Sequence, residues 1–363
     1  MKNDLLGKHK AEVDTPVLLL HMDAVERNIA KMAAFFKDKP CKLRPHIKTH
    51  KLPLIAHRQI EAGAIGITCA KLGEAKIFLE AGIRNVLIGN EIVGKEKIER
   101  LVHLAGYGDL ICSVDNLDNA REISEAAGRV GRRMSVLVDI NVGLNRCGVQ
   151  PGKPALELVQ KVTQLKHLTF RGIMGYEGGL FINDLEGKKK KCMECNQKLV
   201  ETKDLIEKNG FRVEIVTAGG SNTFNLTGFY PRITDIQVGS YVTMDAHNKF
   251  YGLDFEQAIT VMATVISRPE KGRAVTDAGM KSLSTDEGLP ISKTPGIVLS
   301  KLNEEHGHLA IENPDHGLKA GDKIEIIPSH GCTTIPLYDR YVVIRDDHVE
   351  SVMEIYARGA SQQ

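Results

Sequence analysis

A chain of 363 residues with 42% hydrophobic content can bury a sizeable core, and its length favours two domains over one. The 48 Lys and Arg against 46 Asp and Glu leave a net charge of +2, too little to draw the chain to nucleic acid or an anionic membrane. No run approaches the roughly 18 apolar residues of a membrane span, and the polar start MKNDLLGKHKAEVDTP lacks the apolar region of a signal peptide, so the cytoplasm is the expected compartment.

In chain order, the first strand-like run is TPVLLLHMD (15–23). Eight further runs rich in Val, Ile and Leu follow: CKLRPHIK (41–48), AIGITCA (64–70), NVLIGN (85–90), LICSV (110–114), MSVLVDIN (134–141), FRGIMGY (170–176), RVEIVTAG (212–219) and TDIQVGS (234–240). Between most of them lie helical patterns such as LPLIAHRQIEAG, LGEAKIFLEAG, KIERLVHLAG and LDNAREISEAAGRVG, several closing on a glycine where a C-cap belongs. This alternation predicts an α/β fold, a (β/α)8 TIM barrel over residues 20–245. Beyond it the texture changes to alternating runs punctuated by Gly and Pro, among them ITVMATVISRP, DKIEIIPSHG and RYVVIRDDHVESVMEIYARG. These predict a mainly β domain with hairpins over residues 246–363, joined by residues 1–19, so that the run 15–23 pairs there before the chain enters the barrel.

Seven cysteines, Cys41, Cys69, Cys112, Cys147, Cys192, Cys195 and Cys332, are odd in number and scattered, which argues for reduced thiols rather than a disulfide framework. Cys192 and Cys195 form one C-x-x-C, but no second ligand pair follows at finger spacing, and the segment EGKKKKCMECNQK reads as the start of a helix. Its run Lys188 to Lys191 reads as a solvated helix face.

Barrel enzymes carry their chemistry at the C-terminal ends of the strands. Here those ends hold Lys48, Arg146, Tyr176, the turn TAGGSNT (217–223) and the turn VGSY (238–241). Glycine-rich turns after the seventh and eighth strands suit a phosphate, whose oxygens approach backbone N–H groups and Ser or Thr hydroxyls; the competing reading is two ordinary tight turns. Lys48 stands in RPHIKTHK with Arg44, His46 and His50. A lysine among cationic neighbours in a partly dry pocket keeps its amine lone pair available to attack an aldehyde, whereas the competing reading is a salt-bridge lysine, with Lys51 solvated in the following loop. A reactive lysine opposite a phosphate site suits pyridoxal phosphate. His330 and Cys332, at i and i+2 in SHGC, share a face of an extended strand and read either as packing residues or as two metal ligands.

Eight ordered motifs, RPHIKTHK, GLNRCGV, GIMGYEGG, TAGGSNT, VGSYVTMD, DAGMKSLSTDEG, EEHGHL and SHGCTTIPLYDRY, resemble the D-threonine aldolase and D-serine dehydratase family across nearly the whole chain. That family is the metal-dependent branch of the alanine-racemase-like, fold-type III pyridoxal phosphate enzymes. The resemblance implies that Lys48 carries the cofactor covalently and that Arg146 approaches its phenolate oxygen. It implies that Tyr176 lines the ring and that Thr217, Gly219, Gly220, Ser221, Gly239, Ser240 and Tyr241 cradle the phosphate. It further implies a homodimer and a divalent metal at His330 and Cys332, for which a thiolate beside an imidazole favours Zn2+ over Mn2+ or Mg2+.

The expected activity is a lyase acting on D-3-hydroxy amino acids. In the family this chain resembles, a cysteine as second ligand goes with dehydratases and an aspartate with aldolases, so the resemblance favours a dehydratase of the D-serine or D-threo-3-hydroxyaspartate type, giving a 2-oxo acid and ammonia. The alternative is a D-threonine or 3-hydroxy-D-aspartate aldolase, giving glycine and an aldehyde; an amino-acid racemase and a non-catalytic pyridoxal phosphate carrier are the rival classes. Asp277, Glu304, Glu305 and His306 are further polar candidates without an assigned role.

Overall fold

The computed structural model describes residues 4–362. They form two compact units, one of residues 4–31 with 240–358 and one of residues 32–239 with 359–362. The first unit opens with β1 (Val17–His21). The second holds β2 (Lys42–Leu43), β3 (Ile67–Cys69), β4 (Asn85–Glu91), β5 (Asp109–Val114), β6 (Met134–Asp139), β7 (Leu168–Gly175), β8 (Ile215–Ala218) and β9 (Asp235–Ile236). Back in the first unit come β10 (Ile259–Glu270), β11 (Arg273–Thr276), β12 (Ile291–Ser292), β13 (Ile297–Leu302), β14 (Gly307–Ile311), β15 (Lys323–Ile327), β16 (Arg340–Arg345) and β17 (His348–Glu354).

The eight strands of the second unit are those expected from the apolar runs, all parallel, in the order β2-β9-β8-β7-β6-β5-β4-β3. What closes this sheet is the extended chain after β2. On one side, Arg44 and His46 donate their N–H groups to the carbonyls of Ile236 and Val238, each at 3.0 Å. On the other, Ile47 N–H donates to Thr68 O at 2.9 Å and Thr68 N–H to Pro45 O at 2.8 Å, with His46 and Thr68 paired as a parallel bridge. The ladder is therefore complete around the barrel, although Pro45, with no N–H to give, interrupts the regular strand after Leu43.

Between strands run the helices Pro53–Glu61, Leu72–Glu80, Lys95–Leu104, Leu117–Arg129, Lys153–Val162 and Leu185–Lys208. Local chemistry starts them: Pro53 stands in the first turn of its helix, and Asn116 and Asp184 cap theirs by accepting from Asn119 N–H and from the Glu186 and Gly187 N–H groups. Consecutive strands contribute Leu87, Ile111, Leu137, Met174 and Ile215 to one buried cluster. Each such side chain stabilises the fold by about 1.5–3 kcal/mol through removal of apolar surface from water.

In the first unit, β1 lies antiparallel to β10 and parallel to β16, so the run at 15–23 does join the β unit. The path continues β13-β14-β11-β10-β1-β16-β17, with β15 paired to β10 and β12. Its core gathers Val13, Leu19, Met262, Val342, Ile344 and Val349. No helix among the described residues is long and apolar enough to cross a membrane.

Candidate functional site

Lys48 follows the closing ladder by one residue and is exposed, its backbone N–H donating to His46 Nδ1 at 3.4 Å. Burial, then the charges of Lys48, Lys51 and Arg146, hold His46 well below the usual histidine range, so its ring is neutral at pH 7. The remaining basic residues of RPHIKTHK serve the fold. Arg44 is 2% exposed and lies against Asp235 at 3.3 Å and Asn85 at 2.5 Å. His50 is buried and accepts from Leu52 N–H at 3.1 Å. Lys51, expected to be solvated, is buried and ion-paired with Glu74 at 2.5 Å. Glu74 is itself pinned by the Ala70 and Lys71 N–H groups at the start of the helix Leu72–Glu80. A buried ammonium must find such a partner, and this one comes from 23 residues onward in the chain.

Around the same strand ends, the Arg146 guanidinium lies 5.5 Å from the centre of the Tyr176 ring. The edge of that ring faces Gly220, where a Cβ would stand 3.2 Å away. Thr217 is the penultimate residue of β8 and accepts from Gln237 Nε2 at 3.1 Å, and Gly219 takes a φ of 74° that disfavours any side chain. Gly220 N–H donates to Thr223 Oγ1 at 3.0 Å, and Ser221 follows, half-buried. Gly239 has a packing reason of its own: a Cβ there would meet His46 O at 2.8 Å and Thr49 Oγ1 at 3.0 Å. Ser240 and Tyr241 belong to the other unit, in the turn Ser240–Val242, where the fully buried Tyr241 packs its ring 5.5 Å from that of Phe255.

Two acidic features escape the sequence reading. Glu177, adjacent to Tyr176 and buried, accepts from Gly219 N–H and from Thr227 Oγ1, each at 3.1 Å, and so braces the glycine turn from beneath. Burial pushes its carboxyl up. Its signal was a charged residue set against two glycines at a strand end. Asp139, at the end of β6, is pushed up to about 8, first by burial and then by Glu91, to which it is hydrogen-bonded, while Arg146 pulls the other way. The pair holds a proton into the neutral range beside that arginine. Lys188 is also buried, and only Lys189, Lys190 and Lys191 form the solvated face expected of the lysine run.

In the β unit, His330 does not lie on an extended strand with Cys332. It caps the short helix Gly331–Thr334, and the turn of that helix, rather than strand alternation, brings the two side chains into a hydrogen bond. Burial alone would depress the His330 ring, but its bonds to Cys332 and Asp286 push it up to about 10. Asp286, Glu287 and His330 present possible ligand atoms within 4.8 Å of one another. Two of the unassigned candidates are engaged locally: Asp277 accepts from Thr264 N–H at 2.8 Å and Thr15 Oγ1 at 2.6 Å, and Glu305 pairs with Lys281 at the surface. All seven cysteines are free thiols, with Cys192 and Cys195 buried in their helix.

Residues 20–247 match the alanine racemase N-terminal domain family, and residues 258–344 match a serine dehydratase domain family. A D-threonine aldolase of Arthrobacter sp. is 36% identical over 98% of this chain and 96% of its own. A 3-hydroxy-D-aspartate aldolase of Paracoccus denitrificans is 32% identical over 98% and 95%. The crystal structure of D-threonine aldolase from Filomicrobium marinum superposes with a TM-score of 0.95 at 39% identity, covering 98% of each chain. The D-threo-3-hydroxyaspartate dehydratase of Delftia sp. stands further off, 27% identical over 92% of this chain and 95% of its own. Solved forms of a D-threo-3-hydroxyaspartate dehydratase include a histidine-to-alanine mutant and a metal-free cysteine-to-alanine mutant.

Proposed function

This chain belongs to the D-threonine aldolase and D-serine dehydratase family, whose members here are lyases of D-hydroxy amino acids, and we propose that it is the aldolase of the two. It would split D-3-hydroxy amino acids between Cα and Cβ, giving glycine and an aldehyde. The dehydratase expected from Cys332 gives way to this alternative, because likeness over the full length is greater to the aldolases than to the dehydratases. The observation that carries the site reading is the exposed amine of Lys48, set at the strand ends that also bear Arg146, stacked on Tyr176, and the braced glycine turn.

Pyridoxal phosphate fits that mouth. Lys48 Nζ would hold its aldehyde carbon, and the space beside Tyr176 that a Cβ at Gly220 would narrow is left to the cofactor. The N–H groups of Gly219 and Gly220 already donate to Glu177 and Thr223, which stiffens the turn. The phosphate therefore falls to Ser221 and its neighbours, with Thr217 and Gly239 as the rest of the proposed cradle in this unit. When bound, the cofactor supplies an electron sink for the pair left on Cα. A divalent metal fits His330 and Cys332, an imidazole beside a soft thiolate, which favours zinc. When bound, it would supply Lewis acidity toward an oxygen ligand.

In this reading the chain's own groups act at stated atoms. The substrate hydroxyl gives its proton to solvent water, the C–O bond becomes C=O, and the Cα–Cβ pair passes to Cα. Lys48 Nζ then delivers a proton to Cα. The Arg146 guanidinium offers a fork of donors to an anionic oxygen, the phenolate or a second substrate carboxylate. The neutral His46 ring adds no charge that would compete with it. We further propose a homodimer, with the barrel over residues 20–245 and the β domain over the remainder as its two folding units.

Product analysis tests the proposal. With pyridoxal phosphate and zinc added, D-threonine is expected to yield glycine and acetaldehyde, and D-threo-3-hydroxyaspartate to yield glycine and glyoxylate. Release of ammonia and a 2-oxo acid from either, without glycine, would overturn it in favour of the dehydratase.

A further inference from the structure

We propose that Asp286 is a positioning residue for the metal site. It holds the His330 ring through Nδ1, so that Nε2 is the atom presented to the metal beside Cys332 Sγ. The inference rests on the metal reading above. Its basis is how the carboxylate is tied. Oδ2 of Asp286 sits 2.7 Å from His330 Nδ1, while Oδ1 accepts from Ser284 Oγ at 2.5 Å and from Thr333 Oγ1 at 2.8 Å. Oδ1 is thus anchored by two hydroxyl donors, and the ring is gripped by the other oxygen of the group they hold.

The clamp has two origins in the chain. Ser284 and Asp286 lie in the segment STDEG, 44 residues before the histidine, whereas Thr333 lies in the same short helix that His330 caps. The helix itself is fixed at its start by Asp245 Oδ2, which accepts from Gly331 N–H at 2.9 Å. The metal-binding form of the ring is the neutral imidazole, reached by loss of the Nε2 proton, with one donor and one acceptor nitrogen. With Nδ1–H directed at Asp286, the lone pair that can bind a metal is on Nε2. The carboxylate also raises the basicity of that nitrogen, the usual work of an outer-sphere partner to a ligating histidine.

The same three side chains admit a rival geometry, since Asp286, Glu287 and His330 have ligand atoms within 4.8 Å of one another. A metal bound there through Nδ1, the nitrogen 2.7 Å from Asp286 Oδ2, would have to displace that hydrogen bond. The two geometries differ in which nitrogen binds, and this makes them separable by substitution. Asparagine keeps a carbonyl oxygen that accepts Nδ1–H but is a poor metal ligand, whereas alanine removes both functions.

The test is zinc affinity, measured by chelator competition on the full chain. It is accompanied by the thiolate-to-metal absorbance of the cobalt-substituted protein, which reports whether Cys332 still binds. Asp286→Ala is expected to weaken zinc roughly 10- to 100-fold, and Asp286→Asn to recover most of that loss, with the thiolate band retained. Glu287→Gln is expected to leave affinity unchanged. Equal loss in Asp286→Asn and Asp286→Ala, or a matching loss in Glu287→Gln, would place a carboxylate on the metal and overturn the inference. Unchanged affinity in Asp286→Ala would overturn it as well. If Asp286→Ala does not fold, Thr333→Val, which frees one side of the clamp, is expected to show a smaller loss in the same direction, and no loss there counts against the proposal. Failure of the wild-type chain to bind zinc, or an unchanged affinity in Cys332→Ser, would instead sink the metal reading itself.

Discussion

The segments RPHIKTHK and SHGC organise polar residues in opposite ways. In the first, a dense run of basic side chains is dispersed to separate tasks: Arg44 to Asp235 and Asn85, His50 to Leu52, Lys51 to Glu74, leaving Lys48 exposed. In the second, two sparse residues gather a setting from elsewhere, chiefly Asp286 with its anchors Ser284 and Thr333. Density of charge in a sequence is thus a poor guide to where a site lies. The residue proposed as reactive in RPHIKTHK is the one whose side chain the fold leaves exposed, and the ligand proposed in SHGC, His330, is one whose ring the fold ties to a distant carboxylate.

The sharpest way to break this contrast is Lys48→Ala. Activity is expected to fall by roughly 10³-fold or more, since a covalent anchor acts as a unit with its cofactor. The protein-bound visible absorbance of the cofactor should vanish, while stability should change by less than about 0.5 kcal/mol, as befits an exposed side chain. Retained absorbance would contradict the anchor assignment.

Lys51→Ala is expected to do the reverse. It strands the buried Glu74 carboxylate and should cost about 3–5 kcal/mol in urea unfolding, with kcat little changed wherever the protein stays folded. A loss below about 1 kcal/mol would return Lys51 to the class of surface pairs.

Glu177→Ala leaves the Gly219 N–H and the Thr227 hydroxyl without their shared acceptor, and should cost about 1–3 kcal/mol. If the brace matters to the phosphate turn, equilibrium dialysis should show weaker pyridoxal phosphate binding alongside that loss.

The smallest expected effect is a pH slope. Asp139 is pushed up to about 8 in the fold, against roughly 3.9 in an unfolded chain. Between those values the folded state binds the extra proton, so this group's contribution is full below the lower value and is lost as pH rises toward the upper one. Urea midpoints of Asp139→Asn should decline less over that window than those of the wild type; parallel declines would assign the slope to other groups.

The fold was largely legible because both of its periodicities are strong. Alternating apolar strands and amphipathic helices specify a parallel barrel, and the Gly- and Pro-punctuated runs after it specify hairpins. What local pattern does not carry is partnership across distance. Lys51 read as solvated because Glu74 is a helix-cap residue in the next repeat, and burial became possible only through it. His330 and Cys332 were found together but on the wrong backbone, since a four-residue helix after β15 has no periodicity to detect. Glu177 and Asp139 were missed because a buried carboxyl differs from a surface one only in its surroundings. The lean toward a dehydratase rested on one residue, Cys332, whereas the likeness that favours the aldolase alternative runs over the full length of the chain.

Closure of the barrel through the chain after β2 has a consequence for biosynthesis. Leu43 pairs with Ile236 and His46 with Val238, so the strand that delivers Lys48 stays half-paired until about 190 further residues exist. At ribosomal speeds of roughly 5–20 residues per second, this lag amounts to about 10–40 s. During it the nascent chain exposes an open sheet edge, and Lys48 has no finished pocket around it. On the proposed reading, cofactor capture at Lys48 follows synthesis of the last barrel strand, and a ribosome stalled before residue 236 would carry the lysine but not the closed ladder around it.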